Sequence, residues 1–593
     1  MNSKEKKTKI SFNVLAIICI IILCFAVSPK TLQNDTFYTI RIGELIVNNG
    51  IDMTEHFSWH QDLKYTYPHW LYDVGIYEIY HLGEMTGIQD GGMLFIYAST
   101  IILASILGIV IYLINKKLTK NQLISFFITL FEIYLLKDFI AARAQLVTYI
   151  LFALTILCIE SFLESKKKRY LIGLVLISLI MANVHVAVWP FFFVVFLPYI
   201  AEYIIATITE KHIIQRFIVF NKKDALKDFE KELNKIDSKI EENKENEEQV
   251  KKLKAKREKI IAKITKIKNE IPDEEEKLEK IKEKTAKMRE KPYRIKVTKN
   301  SAVKWLILVM IICALVGLLT PLGDTPYTYL VKTMKGNTTQ SISEHQPLTL
   351  YNEKDTMFVL AIFLIILIFT DTKIKLSDLF MLAGMVYLIF MSRRQVSLLI
   401  LICGFIFAKL VTQLAEKYDP DGCQNFEKFM TTIIGKVCTL VVILLVAFAI
   451  YKPKINTQYI NSATYPVQAC DWILENIDVK DTENVRFYNE YNYGSYLLYR
   501  GIPVFIDSRA DLYAPEFNET VNENGEKESR NIFSDYINTS TIGTYYENTM
   551  EKYNITHVIL TKKSKLNMFI SRDSSYRELY SDDNFVIYER LEK

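Results

Sequence analysis

Residues 93–115 read MLFIYASTIILASILGIVIYLIN, 23 positions without a charge, entered through Gly91-Gly92 and left through Lys116-Lys117. As a helix, at about 1.5 Å per residue, this stretch reaches roughly 34 Å, enough to cross a ~30 Å hydrocarbon core. In lipid the backbone polar groups find no water, so a run of this kind is stable only when each N–H is bonded to a carbonyl of its own segment. A membrane helix is therefore the reading, and the flanking lysines mark its cytoplasmic end.

Outward from this run, similar ones recur at about 10–27, 121–136, 144–163, 169–188, 190–208, 302–320, 356–370, 376–391, 395–412 and 432–451. That makes about 11 spans. The first follows a basic leader (Lys4, Lys6, Lys7, Lys9) and no small-x-small site follows Val27, so it reads as a retained signal anchor. With the leader inside, Lys116, Lys117 and Lys120, then Lys166 to Arg169, then Lys373 and Lys375 all fall on the cytoplasmic side. The same alternation sends 29–92, 321–355 and the tail from about 452 to the outer face.

The averages of this 593-residue chain, 50% hydrophobic, 23% charged and net charge +5, conceal unlike parts. Between Lys222 and Lys291, 42 of 70 residues are charged. Apolar positions there keep heptad spacing at Leu226, Phe229, Leu233, Ile236 and Ile240, and again from Val250 to Ile271. This predicts a cytoplasmic helical hairpin turning at Glu241 to Gln249, a stop at Pro272 and a third short helix from Glu274 to Met288. A solvated spacer and a partner-binding coiled coil both fit. The tail changes again: strands at Val485 to Tyr488, Pro503 to Asp507 and His557 to Thr561, a helix at Tyr493 to Arg500 and a hairpin around Ser581 to Asn584 predict an extracytoplasmic α/β domain. The expected organisation is a transmembrane region 1–208 with a large first outer loop, an insert 209–300, a second transmembrane region 301–451 and a soluble domain 452–593.

Several functional classes are excluded. At least five of eight cysteines (Cys19, Cys24, Cys158, Cys313, Cys403) lie in apolar runs and no CxxC pair occurs, which argues against a disulfide scaffold or zinc ribbon. A charge of +5 with no basic block outside the insert gives little footing for nucleic acid. No P-loop, GxSxG, HExxH or Rossmann fingerprint is present.

Ionisable groups at or beside membrane spans are costly, which makes them the candidates for function. Asp35 opens the first outer loop, and His69 precedes an amphipathic stretch, Trp70 to His81. Lys137, Asp138 and Arg143 occupy the next outer turn. Asn183 and His185 close a span, Glu344 and His345 lie in the third outer loop, and Arg393 and Arg394 end another span. All fall on one face. The arginine pair breaks the positive-inside preference, which an anionic ligand such as a phosphate or diphosphate would explain. Each residue also has a local alternative: the arginines on outer-leaflet phosphates, Asn183 in an interhelical hydrogen bond, His185 in packing, Glu344 as a cap. In the tail, Asp507 and Arg509 either face a ligand at a strand end or pair with each other.

The first loop carries Asn34-Asp35-Thr36-Phe37-Tyr38-Thr39-Ile40-Arg41-Ile42-Gly43-Glu44, Phe57-Ser58-Trp59 and Tyr65-Thr66-Tyr67-Pro68-His69-Trp70-Leu71. Ala142-Arg143-Ala144-Gln145, Ala182-Asn183-Val184-His185, Thr320-Pro321-Leu322-Gly323, Ser343-Glu344-His345, Tyr488 to Leu497 and Val504 to Tyr513 follow in order. Together they resemble bacterial multi-pass proteins of the GT-C glycosyltransferase type, a superfamily with protein O-mannosyltransferases and lipid-A aminoarabinose transferases. The resemblance spans nearly the whole chain apart from the charged insert. It implies a catalytic Asp at position 35, acting as base or metal-binding carboxylate, and a polyprenyl-phosphate-linked sugar as donor. The paired acidic motif of the mannosyltransferases is absent, since Asn34 and Thr36 flank Asp35. A divalent cation is thus an option and no other cofactor is implied.

The expected activity is transfer of a sugar from a polyprenyl-phosphate donor in the membrane to an extracytoplasmic glycan, lipid or protein acceptor. Asp35 is the catalytic residue, and His69, Arg143, Asn183, His185, Glu344, His345, Arg393 and Arg394 bind substrate. Two rivals remain: a transporter or flippase of lipid-linked sugars, which would use the same arginines without chemistry, and an envelope-assembly scaffold docking through the hairpin and outer domain.

Overall fold

The apolar runs become helices because only intrasegment hydrogen bonds satisfy their backbone in lipid, and each expected run is helical over most of its length. The computed structural model describes residues 3–208, 213–242, 246–290, 295–336, 342–349, 354–521 and 527–591. Parts of the expected hairpin turn (243–245) and of the third outer loop (337–341 and 350–353) lie outside the described residues. Among those described, five helices are long and apolar enough to cross a membrane: Gly91–Thr119, Ala144–Ser165, Val186–Ile208, Arg393–Tyr418 and Ile433–Lys454. Shorter apolar helices include Phe12–Val27, Gln122–Leu135, Arg169–Val184, Val303–Val316 and Leu376–Met391, and Lys354–Phe369 has the same character. Their outer surfaces are greasy: Ile433 is 81% exposed and Leu445 64%, a surface suited to lipid rather than water.

The chain is mainly α, with a small mixed sheet near its C-terminal end. It divides into two units. The larger comprises Met1–Leu197, Lys304–Thr372 and Phe380–Lys593, and the smaller Pro198–Val303 and Lys373–Leu379.

The smaller unit holds the charged insert, as two helices, Ile213–Glu242 and Glu247–Glu290, packed lengthwise. Ile236, Ile260 and Ile264 form their buried seam, with Leu226, Phe229, Leu233, Ile240 and Leu253 against it. Ion pairs Lys222–Glu270, Glu230–Lys268, Glu232–Lys256 and Asp237–Arg257 fix the antiparallel register. The expected stop at Pro272 does not occur: the second helix runs through it to Glu290. A proline removes one backbone hydrogen bond, and pairs on both sides of it, Lys222 with Glu270 and Lys223 with Glu275, hold the helix in line.

In the larger unit the terminal sheet has the order Phe487–Tyr488, His557–Thr561, Phe585–Arg590, Tyr576–Ser581, parallel at the first pair and antiparallel elsewhere. The expected strand at Pro503 to Asp507 is instead an irregular segment with a single bridge, Val504 to Ser58. Side chains take over its backbone bonding: the Phe505 amide donates to Asn489 Oδ1 and the Ile506 carbonyl accepts from Asn489 Nδ2. Gly494 is required beside it, because a Cβ there would stand 2.1 Å from the Ile506 carbonyl oxygen.

One hydrophobic core joins the terminal domain to the first loop. Phe37, on the helix Asn34–Asn49, packs edge-on against Tyr465 and Tyr496 at 5.0 and 5.1 Å. The Trp59 indole donates to the Phe487 carbonyl at 2.9 Å, and Ser58 Oγ to that of Val504 at 2.7 Å. Each fully buried aromatic of this kind contributes about 1.5–3 kcal/mol. Helices Asn34–Asn49 and Trp70–Glu84 pack so closely at Gly43 that a Cβ would lie 2.1 Å from the Asp73 carbonyl oxygen. The stretch Trp70 to His81, which its pattern allows on a membrane surface, accordingly buries Tyr72, Asp73 and Ile76 inside the protein.

Candidate functional site

Asp35 stands in the first turn of the helix Asn34–Asn49, where the helix dipole favours a carboxylate. Thr36 Oγ1 donates to the Ala142 carbonyl at 3.3 Å and so brings this turn against the segment before the helix Ala144–Ser165. Arg143 caps that helix, and its guanidinium contacts the Asp35 carboxylate directly. The other arm of Arg143 faces Glu344 Oε1 at 3.6 Å. Burial works against the Arg143 charge, but Asp35 and then Glu344 outweigh it and raise its pKa.

Glu344 and His345 are brought here by backbone bonds to the end of the helix Leu376–Met391: the Leu348 amide to the Ile389 carbonyl, and the Arg393 amide to that of Gln346. Arg393 and Arg394 follow at once in a short 3-10 turn. On another side, the Val186 amide donates to the Pro68 carbonyl at 3.0 Å. That bond sets the His69 and His185 rings edge to face, with centroids 4.7 Å apart.

Asp35, His69, Arg143, His185, Glu344, His345 and Arg394 all line one cavity of about 1260 Å³. Most of the residues singled out in the sequence therefore converge. Of the residues expected to bind substrate, Asn183 and Arg393 do not line the cavity. The Asn183 amide is engaged by the Trp70 indole at 3.1 Å and by the Leu179 and Leu319 carbonyls, the interhelical alternative. Arg393 lines a neighbouring pocket of about 410 Å³ with Lys137, Asp138 and Asp355, and this pocket shares Arg143, Glu344 and Arg394 with the main cavity. Phe131, Glu132, Phe363, Cys403 and Phe407 line a small cleft of about 30 Å³ between helices, which shares the wall residues Leu135, Thr356 and Ile400 with that pocket.

Asp507 and Arg509 pair with each other, and both are almost fully buried. Arg509 also forks onto Glu55 of the first loop at 2.6 and 2.9 Å, while Tyr513 donates to Asp507 at 2.6 Å. This is a latch between loop and terminal domain, with Arg509 at the cavity wall.

Two contributors lay outside the sequence candidates. Asp511, two residues beyond Arg509, lines the cavity and accepts from Tyr329 at 2.6 Å and Thr333 at 3.4 Å; burial raises its pKa. Tyr491 lines it too, in the field of Asp35, Asp511 and Glu344. Both belong to stretches that carry the family resemblance, but nothing local distinguishes them from ordinary core and turn residues.

Burial first, and then the charge of Arg394, lowers the His69 pKa to about 3 and the His345 pKa to about 4. Both shifts favour the uncharged imidazole. As for a metal, the Asp35 carboxylate already faces a guanidinium, and among the described residues no three His, Cys, Asp or Glu side chains are grouped as a metal site. This donor set does not fit a dedicated metal cage.

No protein-family model matches the sequence, and no curated protein matches it. Among solved structures the chain is similar to the oligosaccharyltransferase of Archaeoglobus fulgidus in its apo form, at 13% identity and a TM-score of 0.47, covering 93% of this chain and 69% of that one. It is similar, at 11% identity, the same TM-score and the same coverage, to the archaeal oligosaccharyltransferase AglB from Archaeoglobus fulgidus in complex with an inhibitory peptide and a dolichol-phosphate.

Proposed function

We propose that this chain is an integral membrane glycosyltransferase of the GT-C type, moving a sugar from a polyprenyl-phosphate donor onto an extracytoplasmic acceptor. The observation that carries this reading is a cavity of about 1260 Å³, lined by Asp35, that shares Arg143, Glu344 and Arg394 with a neighbouring pocket lined also by Lys137 and Arg393. The arginines of the shared wall suit the anionic head of the donor, the lipid-facing flanks of the adjoining helices suit its isoprenoid tail, and the cavity has room for the acceptor.

In the proposed reaction the acceptor oxygen bonds to the anomeric carbon, and the bond from that carbon to the phosphate oxygen breaks with its electron pair staying on the phosphate. Arg143, Arg393 and Arg394 neutralise the growing charge. Asp35, held by Arg143, activates the acceptor and receives its proton. No step runs through a metal.

The test is release of prenyl phosphate from synthetic farnesyl-phosphate-linked hexoses by the purified full chain. Asp35→Asn is expected to lower it by at least about 10²-fold, the lower end for acid–base catalysis, with membrane insertion intact. Undiminished release by that variant sinks the Asp35 assignment. Movement of the intact donor across a proteoliposome bilayer without release marks a flippase instead.

A further inference from the structure

His185 is fully buried, and neither of its ring nitrogens has a hydrogen-bond partner among the described residues. A buried polar group left so is costly, of the order of 1–3 kcal/mol per missing bond, and it lines the cavity. His69 meets it edge to face in the same wall. The Arg394 side chain, also in that wall, makes no hydrogen bond or ion pair among the described residues. Arg143 differs, since Asp35 and Glu344 already balance it.

We propose that His69, His185 and Arg394 form a cradle for a phosphate monoester, two imidazole rings beside a guanidinium that no carboxylate contacts directly among the described residues. This rests on the glycosyltransferase reading and deepens it: the cradle receives the phosphate that leaves the sugar. An imidazole pair also suits a transition metal, but Arg394 and Arg143 act on both rings against a cation; Asp35 offsets part of this at His69, while at His185 no carboxylate opposes them. An uncharged imidazole has one N–H to donate and adds no cation to be desolvated. A phosphate monoester offers three acceptor oxygens, enough for two imidazoles and a guanidinium.

The experiment measures binding to the full chain in detergent, with farnesyl phosphate, inorganic phosphate and farnesol as probes. Farnesyl phosphate is expected to bind, and to bind at least tenfold more weakly to His185→Phe and to Arg394→Met, with farnesol unchanged. His185→Asn, which keeps an N–H donor, is expected to recover part of the loss. A readout needing no variant is carbethoxylation by diethyl pyrocarbonate: bound farnesyl phosphate should shield His69 severalfold and leave the solvent-facing His56 as reactive as before. Tighter binding of farnesyl phosphate than of inorganic phosphate identifies the lipid as the source, equal binding a free phosphate, and either upholds the cradle. Binding to His185→Phe within threefold of the unaltered chain, or no shielding of His69, overturns it and leaves the transfer reading standing. Failure of the unaltered chain to bind farnesyl phosphate overturns both.

Discussion

Arg509→Met removes the centre of the latch between the first loop and the terminal domain. The Arg509 side chain is 3% exposed, and its partners Glu55 and Asp507 are 1% and 0% exposed. Methionine fills much of the volume, so the loss is electrostatic: two carboxylates remain in a dry site with their shared cation gone. Breaking a buried pair from one side costs about 3–5 kcal/mol. At about 1.4 kcal/mol per decade this is roughly a 150- to 5,000-fold rise in the opening equilibrium. Hydrogen exchange read on peptides covering 55–60 and 501–513 reports that opening directly. The lost protection should be confined to the joint core, with spans such as Ala144–Ser165 unchanged. Adding Glu55→Gln and Asp507→Asn to Arg509→Met should restore part of it, since no uncompensated charge remains. A rise below tenfold for the single variant, or no recovery in the triple, would refute the latch.

Three further outcomes follow from the geometry. Burial raises the Asp73 pKa well above its ordinary value, outweighing the opposing effects of Thr39 and Arg509. The folded state therefore keeps a proton that the unfolded state gives up above about pH 4, so stability falls as pH rises from there toward the folded pKa; Asp73→Asn should flatten that slope in denaturation measured from pH 4 to 8. Gly494→Ala should destabilise the terminal domain by about 1–3 kcal/mol, because the new Cβ would press on the Ile506 carbonyl and on the Asp507 Cα, 2.8 Å away; exchange protection of 487–507 within a factor of two of the unaltered chain would contradict this. Excising 225–268 and joining the ends with a short Gly-Ser link should leave farnesyl phosphate binding within twofold, since Lys222 and Lys223 already meet Glu270 and Glu275; a tenfold loss would make the hairpin part of the machinery.

Much of this molecule was legible along the chain because the forces concerned act locally. Runs such as 93–115 have to be helical in lipid whatever surrounds them, and the heptads of the insert bury Ile236 against Ile260 and Ile264 through spacing alone. The local signal failed at Pro272, where the helix continues against its packed partner despite one missing hydrogen bond, and at 503–507, where Asn489 substitutes for a strand neighbour. The polar candidates could be gathered on one face from the alternation of spans, but not matched with partners. Asp35 meets Arg143 across 108 positions and His69 meets His185 across 116, while Arg509 finds Glu55 across 454. Such pairings depend on how packed elements converge, and no periodicity encodes that. Tertiary structure alone thus decided which candidates share a cavity, turned Asp507 and Arg509 into a latch, and drew Asp511 and Tyr491 into the site from the terminal domain.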